Sequence, residues 1–249
     1  MSWLIANLPL VSLRLLAHLA QALPAIAASL LLTIPAARLA QGARPLRAVL
    51  TTGSSLLYAV PSLALFVILP IILGTGIRDV INVVVALTLY GIALLLPVTV
   101  EALDAVDPAA LDAASAVGMG RVRRFLTVEP PLAGPTILAG LRVVTVSTIA
   151  LTTVGAVLGV PSLGSLFVDG FQRNIAAEII TGLVLSATLA LLLDGLVVLG
   201  GWLAMPAHEQ TAWAKGNRNV HVGATDPEAW DLWGLGSKAI FRQTDRRIS

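Results

Sequence analysis

Cysteine is absent from this 249-residue chain, and charged residues are scarce. Without cysteine the chain cannot form a disulfide, bind an iron–sulfur cluster or hold zinc through thiolates. Lys, Arg, Asp and Glu make up 12% of the residues, about half the share that a soluble globular domain carries. This deficit of charge argues against an ordinary soluble enzyme.

The few charges that are present are concentrated in two places. Of the 30 charged residues, 11 follow Met205 and 8 lie in residues 101–131, so the other 174 residues share only 11. The hydrophobic fraction is 57% and the mean hydropathy is +0.88. These values indicate several membrane-spanning helices of about 20 residues each.

Five apolar stretches are long enough to cross a bilayer, which predicts an all-α, polytopic membrane helix bundle with about five transmembrane helices. They are residues 13–40, 46–73, 80–100, 134–159 and 176–205. The second stretch is either one broken helix or two short pieces, which leaves a count of six spans open. Residues 1–205 form the predicted transmembrane domain, and residues 206–249 form a polar tail.

The distribution of Lys and Arg predicts the orientation, because short cytoplasmic segments retain these residues. The first and third loops and the tail together carry 12 of them, whereas the second and fourth loops carry only Arg78 and Arg173. The N-terminus is therefore expected outside and the tail in the cytoplasm. The basic residues are spread over membrane ends and form no nucleic-acid-binding face.

Two charged residues, Arg142 and Asp194, fall inside predicted spans. An ionisable group in a bilayer is costly and usually faces a partner or water. Their similar distance from the cytoplasmic ends predicts that they face the bundle interior and pair with each other. We expect a structural pair that locks two helices, rather than a group on a substrate path.

The polar island at residues 101–131 has the signals of a helix-turn-helix. Asp107 precedes Pro108 as a helix N-cap, and Gly118 and Gly120 break the run that follows. A second short helix begins at Arg121 and is expected to end before Pro130 and Pro131. A loop this ordered is not needed to join two spans, so we expect it to dock into a partner protein.

Motifs for catalysis are absent. The sequence contains no G-x-x-x-x-G-K-[ST] and no H-E-x-x-H, and its three histidines have no metal-ligand spacing. The chain is therefore expected to be no enzyme and to bind neither a metal nor a cofactor itself.

The island resembles the cytoplasmic EAA loop of ABC importer permeases, whose pattern is E-A-A-x3-G-x9-I-x-L-P. The matching residues are Asp112, Ala113, Ala114, Gly118, Val128, Pro130 and Pro131. Asp replaces Glu, Val replaces Ile and Pro replaces Leu, while the spacing is intact. The fold implied by this resemblance is that of type I ABC importer permeases, of the kind found in methionine permeases.

Longer stretches are similar to the osmoprotectant branch, whose members take up glycine betaine, carnitine and choline. These stretches are AVPSLALFVILPIILGTG, VDPAALDAASAVGMG and VEPPLAGPTILAGLRVVTV. The loop from Gly159 to Gly164 and the segment LLLPVTVEAL depart from that branch. Another small solute, such as an amino acid or a sulfonate, therefore stays an alternative cargo; a channel or membrane enzyme without an ATPase is a more distant one.

The resemblance also implies a location, the plasma (inner) membrane of a prokaryote, and several partners. A cytoplasmic ATPase subunit would bind ATP and Mg²⁺ and would hold the island in a cleft. The remaining partners would be a second permease copy or paralogue, an extracytoplasmic solute-binding protein and membrane lipid. The implied coupling residues are Asp112, Ala113, Ala114, Gly118, Gly120, Arg121 and Pro131.

The solute pathway is expected where the second span is broken, because interrupted membrane helices expose backbone groups to cavities. Pro61 and Ser62 mark the break, and Tyr58 and Tyr90 are the aromatic candidates for contact with a quaternary ammonium group. The five Trp residues lie in the tail or near span ends, where anchoring at the membrane interface is the default role.

Overall fold

The structure is a computed structural model that describes residues 2–204. Ten α-helices follow one another in these residues, with no β-strand among them. The helices are α1 Ser2–Ala6, α2 Leu8–Gly42, α3 Arg44–Ala59, α4 Ser62–Leu73, α5 Val80–Asp104, α6 Pro108–Ala116, α7 Arg121–Thr127, α8 Glu129–Val154, α9 Gly164–Gln172 and α10 Ala176–Ala204. The all-α class predicted from the sequence is confirmed, and the predicted tail lies outside the described residues.

Within residues 2–204, four helical segments are long and apolar enough to cross a membrane. They are Leu8–Gly42, Val80–Asp104, Glu129–Leu158 and Ala176–Leu203. The fifth predicted span corresponds to α3 and α4, which meet at a bend of 108°. The count of five therefore holds only when this bent pair is taken as one span.

The bend between α3 and α4 has a local chemical cause. Pro61 has no amide hydrogen and disfavours helical dihedral angles in the preceding residue. Val60 accordingly has an extended backbone, with φ −67° and ψ 130°. With 16 residues, α3 is about 24 Å long, which is too short to cross the hydrocarbon region alone.

Helix α5 is the centre of the bundle and packs against α2, α3, α4 and α8. Its close approach to α2 and α8 requires a glycine at position 91, since a Cβ there would collide with the Ser29 side chain and press on Val144. By contrast, few residues of α10 are buried in this single chain. An apolar helix with so little burial is suited to lipid or to another protein.

The bundle has two ends, which we name by the helices found there. The α6–α7 end contains α6 and α7, the last turns of α2 and α5, and the first turns of α3 and α8. The α9 end contains α9, the start of α2, and the segments 74–79 and 155–163. Each end contains an ion pair between helices. Arg47 pairs with Asp104 at the α6–α7 end, and Arg14 pairs with Asp169 at the α9 end.

The fourth span and the fourth loop differ from the sequence prediction. The fourth span begins at Glu129 rather than at residue 134, because prolines fit the first turn of a helix, where no amide donor is needed. In addition, the predicted fourth loop contains α9, which was not anticipated. Leu166 of α9 and Leu163 directly before it are fully buried, and they pack with Ile149 and Val11 and hold this segment in the bundle.

Candidate functional site

The polar island forms the helix-turn-helix that its sequence predicts. The Asp107 carboxylate accepts a hydrogen bond of 2.8 Å from the Ala109 amide and caps α6, which begins at Pro108. The turn after α6 depends on Gly118, whose φ is +79°. The Gly118 amide donates to Ser115 O at 3.0 Å and the Met119 amide to Ala114 O at 3.1 Å, a pattern that ends helices with a left-handed glycine.

One side of the helix-turn-helix is exposed and partly apolar. Asp112 and Ala113 of α6 are exposed, as are Gly120 and Arg121 at the start of α7. Val117 and Val122 are each 73% exposed. Exposed aliphatic side chains next to charges are typical of a surface that binds another protein.

The other side of the helix-turn-helix rests on the bundle. Ala114 is buried, so this side of α6 faces the chain's own core. Leu111 and Phe125 pack against an apolar cluster that includes Leu96 and Leu103 of α5. Pro131, the last island residue in the sequence prediction, lies in the first turn of α8 and is partly buried.

A buried carboxylate, that of Glu129, lies where the island meets the bundle. Its side chain is 4% exposed and lies between two guanidinium groups. Arg124 Nε of α7 donates to Glu129 Oε1 at 3.4 Å, and Arg38 Nη1 of α2 is 3.5 Å from Glu129 Oε2. Each carboxylate oxygen thus faces a different helix.

Arg124 and Arg38 also contact side chains of other helices. Arg124 Nη1 donates to Ser115 Oγ of α6 at 3.0 Å, while the Arg38 guanidinium lies 4.9 Å from the centre of the Phe125 ring. Arg38 also donates to Gln41 at 2.9 Å. Arg38 is one of the 12 Lys and Arg residues from which only the orientation was predicted, and no role was predicted for Glu129. The signal in the sequence that could have indicated a role for Glu129 is its position directly before Pro130 and Pro131 at a span boundary.

The network reaches two further helices through Gln41. Its Nε2 donates to Asp104 Oδ1 at the end of α5 at 3.1 Å. Asp104 also pairs with Arg47 of α3. Ion pairs and hydrogen bonds therefore connect α6 and α7 with α2, α3, α5 and α8.

The predicted pathway residues meet at the bend between α3 and α4. The rings of Tyr58 and Tyr90 are 6.5 Å apart and nearly perpendicular, and the Tyr90 hydroxyl donates to Val60 O. A cavity of about 400 Å³ lies beside them, lined by Tyr58, Val60, Ser62, Tyr90, Ser147, Ala150 and Leu151. Pro61 forms the bend itself.

A second cavity lies along the same side of α3, toward the α6–α7 end. Its volume is about 320 Å³, and its lining comprises Arg47, Thr51, Thr52, Ser55, Pro97, Val100 and Glu101. Residues 47, 51, 55 and 58 recur at helical spacing, so both cavities open on one face of α3. In a membrane such a polar face requires contact with protein or water.

Arg142 and Asp194, which the sequence analysis paired, form a bidentate ion pair between α8 and α10. Nε and Nη2 of Arg142 donate to Oδ1 and Oδ2 of Asp194, both at 2.8 Å. The side chains are 42% and 19% exposed, so the pair lies toward the outer surface of the single chain and not in a closed interior. Because α8 begins at Glu129, Arg142 lies about 20 Å along that helix.

The α9 end contains a second fully buried carboxylate. Glu178 of α10 accepts hydrogen bonds from Arg173 Nη2 at 2.7 and 2.6 Å. Nearby, Asn82 accepts from Thr75 at 2.5 Å and donates to Gly76 O at 2.7 Å.

In residues 2–204, no three His, Asp or Glu side chains lie together in a way that could hold a metal ion.

Comparisons with known proteins assign the chain to a family. Residues 29–201 match the family of the binding-protein-dependent transport system inner membrane component. Among curated proteins, the chain is 33% identical over 148 residues to the osmoprotectant import permease protein OsmW of Salmonella typhimurium, covering 58% of this chain and 68% of that protein. It is 30% identical over 151 residues to the glycine betaine/carnitine/choline transport system permease protein OpuCD of Bacillus subtilis, covering 60% and 63%.

A third relative is a longer protein. The ergothioneine transport permease/ergothioneine binding protein EgtU of Helicobacter pylori is 32% identical over 151 residues, which cover 61% of this chain but 27% of EgtU. The chain therefore spans between about a quarter and two thirds of the length of these three relatives.

A solved structure shows the same fold. The inward-facing MetNI methionine ABC transporter aligns with a TM-score of 0.65 at 18% identity, over 79% of this chain and 94% of the solved one. This likeness confirms the predicted methionine-permease-like fold. The family is one of transport components, in agreement with the prediction that the chain is no enzyme. The chain belongs to the family of binding-protein-dependent transport system inner membrane components.

Proposed function

We propose that this chain is the permease subunit of an ABC importer and that its α6–α7 segment couples it to a separate ATPase. The observation that carries this proposal is the exposed side of that segment, where Val117 and Val122 are each 73% exposed and Asp112 is also exposed. Family membership supports it. The sequence contains no P-loop of its own, so ATP and Mg²⁺ would be bound by the partner.

The proposed orientation has the α6–α7 end in the cytoplasm. Support comes from the 12 Lys and Arg residues assigned to that side, against Arg78 and Arg173 on the other. With this orientation the N-terminus lies outside and the α9 end faces an extracytoplasmic solute-binding protein.

The proposed cargo is a quaternary ammonium osmoprotectant such as glycine betaine, choline or carnitine. The relatives named for osmoprotectants, betaine, carnitine, choline and ergothioneine support this choice, since betaine, carnitine, choline and ergothioneine each carry a trimethylammonium group. That group binds to aromatic faces by cation–π attraction. Tyr58, which is 54% exposed, offers such a face beside the 400 Å³ cavity.

The proposed pathway follows the polar face of α3 from the bend toward the α6–α7 end. Its hydroxyl groups at positions 51, 52 and 55 are found in the second cavity. The bend adds a favourable electrostatic arrangement, because the C-terminal end of α3 attracts a cation and the N-terminal end of α4, at Ser62, attracts a carboxylate. A second permease copy or paralogue would cover this face and complete the pathway.

Reconstitution tests the proposal. The chain, its genetically neighbouring ATPase and the binding protein would be placed in proteoliposomes, and uptake of labelled glycine betaine, choline and carnitine would be measured with ATP and with a non-hydrolysable analogue. ATP-dependent uptake of at least one of the three is expected. Uptake of only an amino acid or a sulfonate would refute the cargo, and uptake independent of the ATPase would refute the importer.

Two substitutions at one position test the pathway. Tyr58→Ala removes the ring, whereas Tyr58→Phe retains its face and serves as the matched control. A cation–π contact of about 1 kcal/mol predicts a several-fold rise in the half-saturating solute concentration for Tyr58→Ala alone. Equal behaviour of the two variants would contradict a role for the ring face.

A further inference from the structure

A buried carboxylate at the α6–α7 end has two cationic partners on different helices. Glu129 is the first residue of α8, and its side chain is 4% exposed. Arg124 reaches it from α7 at 3.4 Å and Arg38 reaches it from α2 at 3.5 Å. One carboxylate therefore joins the island to two long helices of the bundle.

The arrangement differs from a simple surface ion pair. Arg124 also donates to Ser115 of α6 at 3.0 Å, and Arg38 lies over the Phe125 ring of α7 at 4.9 Å. Both island helices are thus held to α2 and α8 through the same two guanidinium groups. If Glu129 lost its charge, the two guanidinium groups would face a neutral group and repel each other across a poorly hydrated site.

We infer that Glu129 is a positioning residue that transmits movement between the α6–α7 segment and helices α2 and α8. The inference rests on the proposed function, in which the outer side of the segment binds an ATPase. Binding uses the exposed residues around Val122, whereas transmission uses the buried contact of Glu129 with Arg38 and Arg124. The two tasks are therefore separable by substitution.

Glu129→Gln removes the charge with little change of shape. In the reconstituted importer, binding of the ATPase is expected to stay within about twofold of the parent, while solute transported per ATP hydrolysed falls about tenfold. Glu178→Gln is the matched control, because Glu178 is also buried and paired with an arginine, but at the α9 end. That variant is expected to keep the parental ratio of transport to hydrolysis.

A second variant keeps the inference testable if Glu129→Gln does not fold. Arg38→Gln affects a side chain that is 34% exposed and leaves the contact between Arg124 and Glu129 in place. A reduced ratio of transport to hydrolysis is expected here too. Glu129→Asp retains the charge, so its ratio should lie between those of Glu129→Gln and the parent. An unchanged ratio in Glu129→Gln, an equal loss in Glu178→Gln, or loss of ATPase binding in Glu129→Gln would overturn the inference.

A readout on the permease alone separates this inference from the proposed function. The chain has no cysteine, so Ala116→Cys at the exposed end of α6 gives one site for a spin label. Label mobility is expected to rise in the Glu129→Gln background and to stay unchanged in Glu178→Gln. If the parent shows no ATP-driven uptake, the proposed function fails, while unchanged mobility in Glu129→Gln refutes the positioning role itself.

Discussion

The two ends of the bundle are held together in different ways. At the α6–α7 end, Arg38, Asp104 and Glu129 connect helices that are distant in sequence. At the α9 end, Glu178 pairs with Arg173 only five residues away, and Gly164 packs against the backbone at Thr153. At the first end a network of charged side chains joins several helices, whereas the second end combines one distant ion pair, between Arg14 and Asp169, with a short-range pair and close backbone contacts.

This difference matters for a transport subunit. Ion pairs between separate helices tolerate small changes in helix position, because guanidinium and carboxylate groups can keep contact as they shift. Backbone contacts of the kind made by Gly164 permit no such shift. We therefore expect the α6–α7 end to move relative to the spans, and the α9 end to act as the fixed part of the chain.

The largest expected effect is at the α9 end. In Gly164→Ala the new Cβ would overlap the carbonyl oxygen of Thr153, so the loop would be forced out of place at a cost of about 3 kcal/mol. The midpoint of thermal unfolding in detergent measures this loss. Gly53→Ala, where no atom lies within 4 Å of the added Cβ, should behave like the parent, and equal midpoints for both variants would contradict close packing at Gly164.

The ion pair between α8 and α10 gives the next largest effect. Asp194→Asn leaves the Arg142 guanidinium without its bidentate partner inside a membrane span, which we expect to cost about 2 kcal/mol. The double variant Arg142→Met with Asp194→Leu should be more stable than the single variant, as measured by thermal unfolding. Full assembly of the double variant with complete loss of transport would show that the pair serves the solute path instead of helix locking.

A smaller effect is expected from Asn82, which joins α5 to the segment after α4. Asn82→Ala removes the hydrogen bonds to Thr75 and Gly76 and should cost about 1.5 kcal/mol. Thr75→Val, which removes one of the two bonds, should cost about half as much. Hydrogen–deuterium exchange at residues 74–79 measures the local opening, and parental exchange in Asn82→Ala would argue against a fixed α9 end.

The smallest effect is at the turn between α6 and α7. Gly118 and Gly120 both have open space around an added Cβ, but only Gly118 has a positive φ, of +79°. Gly118→Ala is therefore expected to strain the turn by about 1 kcal/mol and to weaken ATPase binding about fivefold. Gly120→Ala should bind the ATPase with nearly the parental affinity. Equal affinities of the two variants would contradict a role for the Gly118 turn in ATPase binding.

Local chemistry made much of this molecule predictable from its sequence. Asp107 before Pro108 predicted the start of α6, and the apolar stretches predicted the spans. The pairing of Arg142 with Asp194 was predicted because both charges lie at a similar depth in their spans. These features depend on neighbouring residues or on the cost of a charge in a membrane.

Features that depend on packing between distant segments were not predictable. Helix α9 has a short, mixed sequence, and its place in the bundle depends on burial of Leu163 and Leu166 against other helices. The inward position of Ala114 follows from the rotation of α6 about its axis, which neighbouring residues do not determine. Glu129 and Arg38 are 91 positions apart, so their contact could be recognised only in three dimensions.

The central claim is that the exposed side of the α6–α7 segment binds an ATPase, and the affinity of the purified complex tests it most directly. Val122→Asp places a charge on a side chain that is 73% exposed, so the fold should be retained, and Val122→Ile is the conservative control. We predict that Val122→Asp weakens binding of the ATPase at least tenfold, or about 1.4 kcal/mol, while Val122→Ile stays near the parent. Binding of Val122→Asp within twofold of the parent would contradict the account.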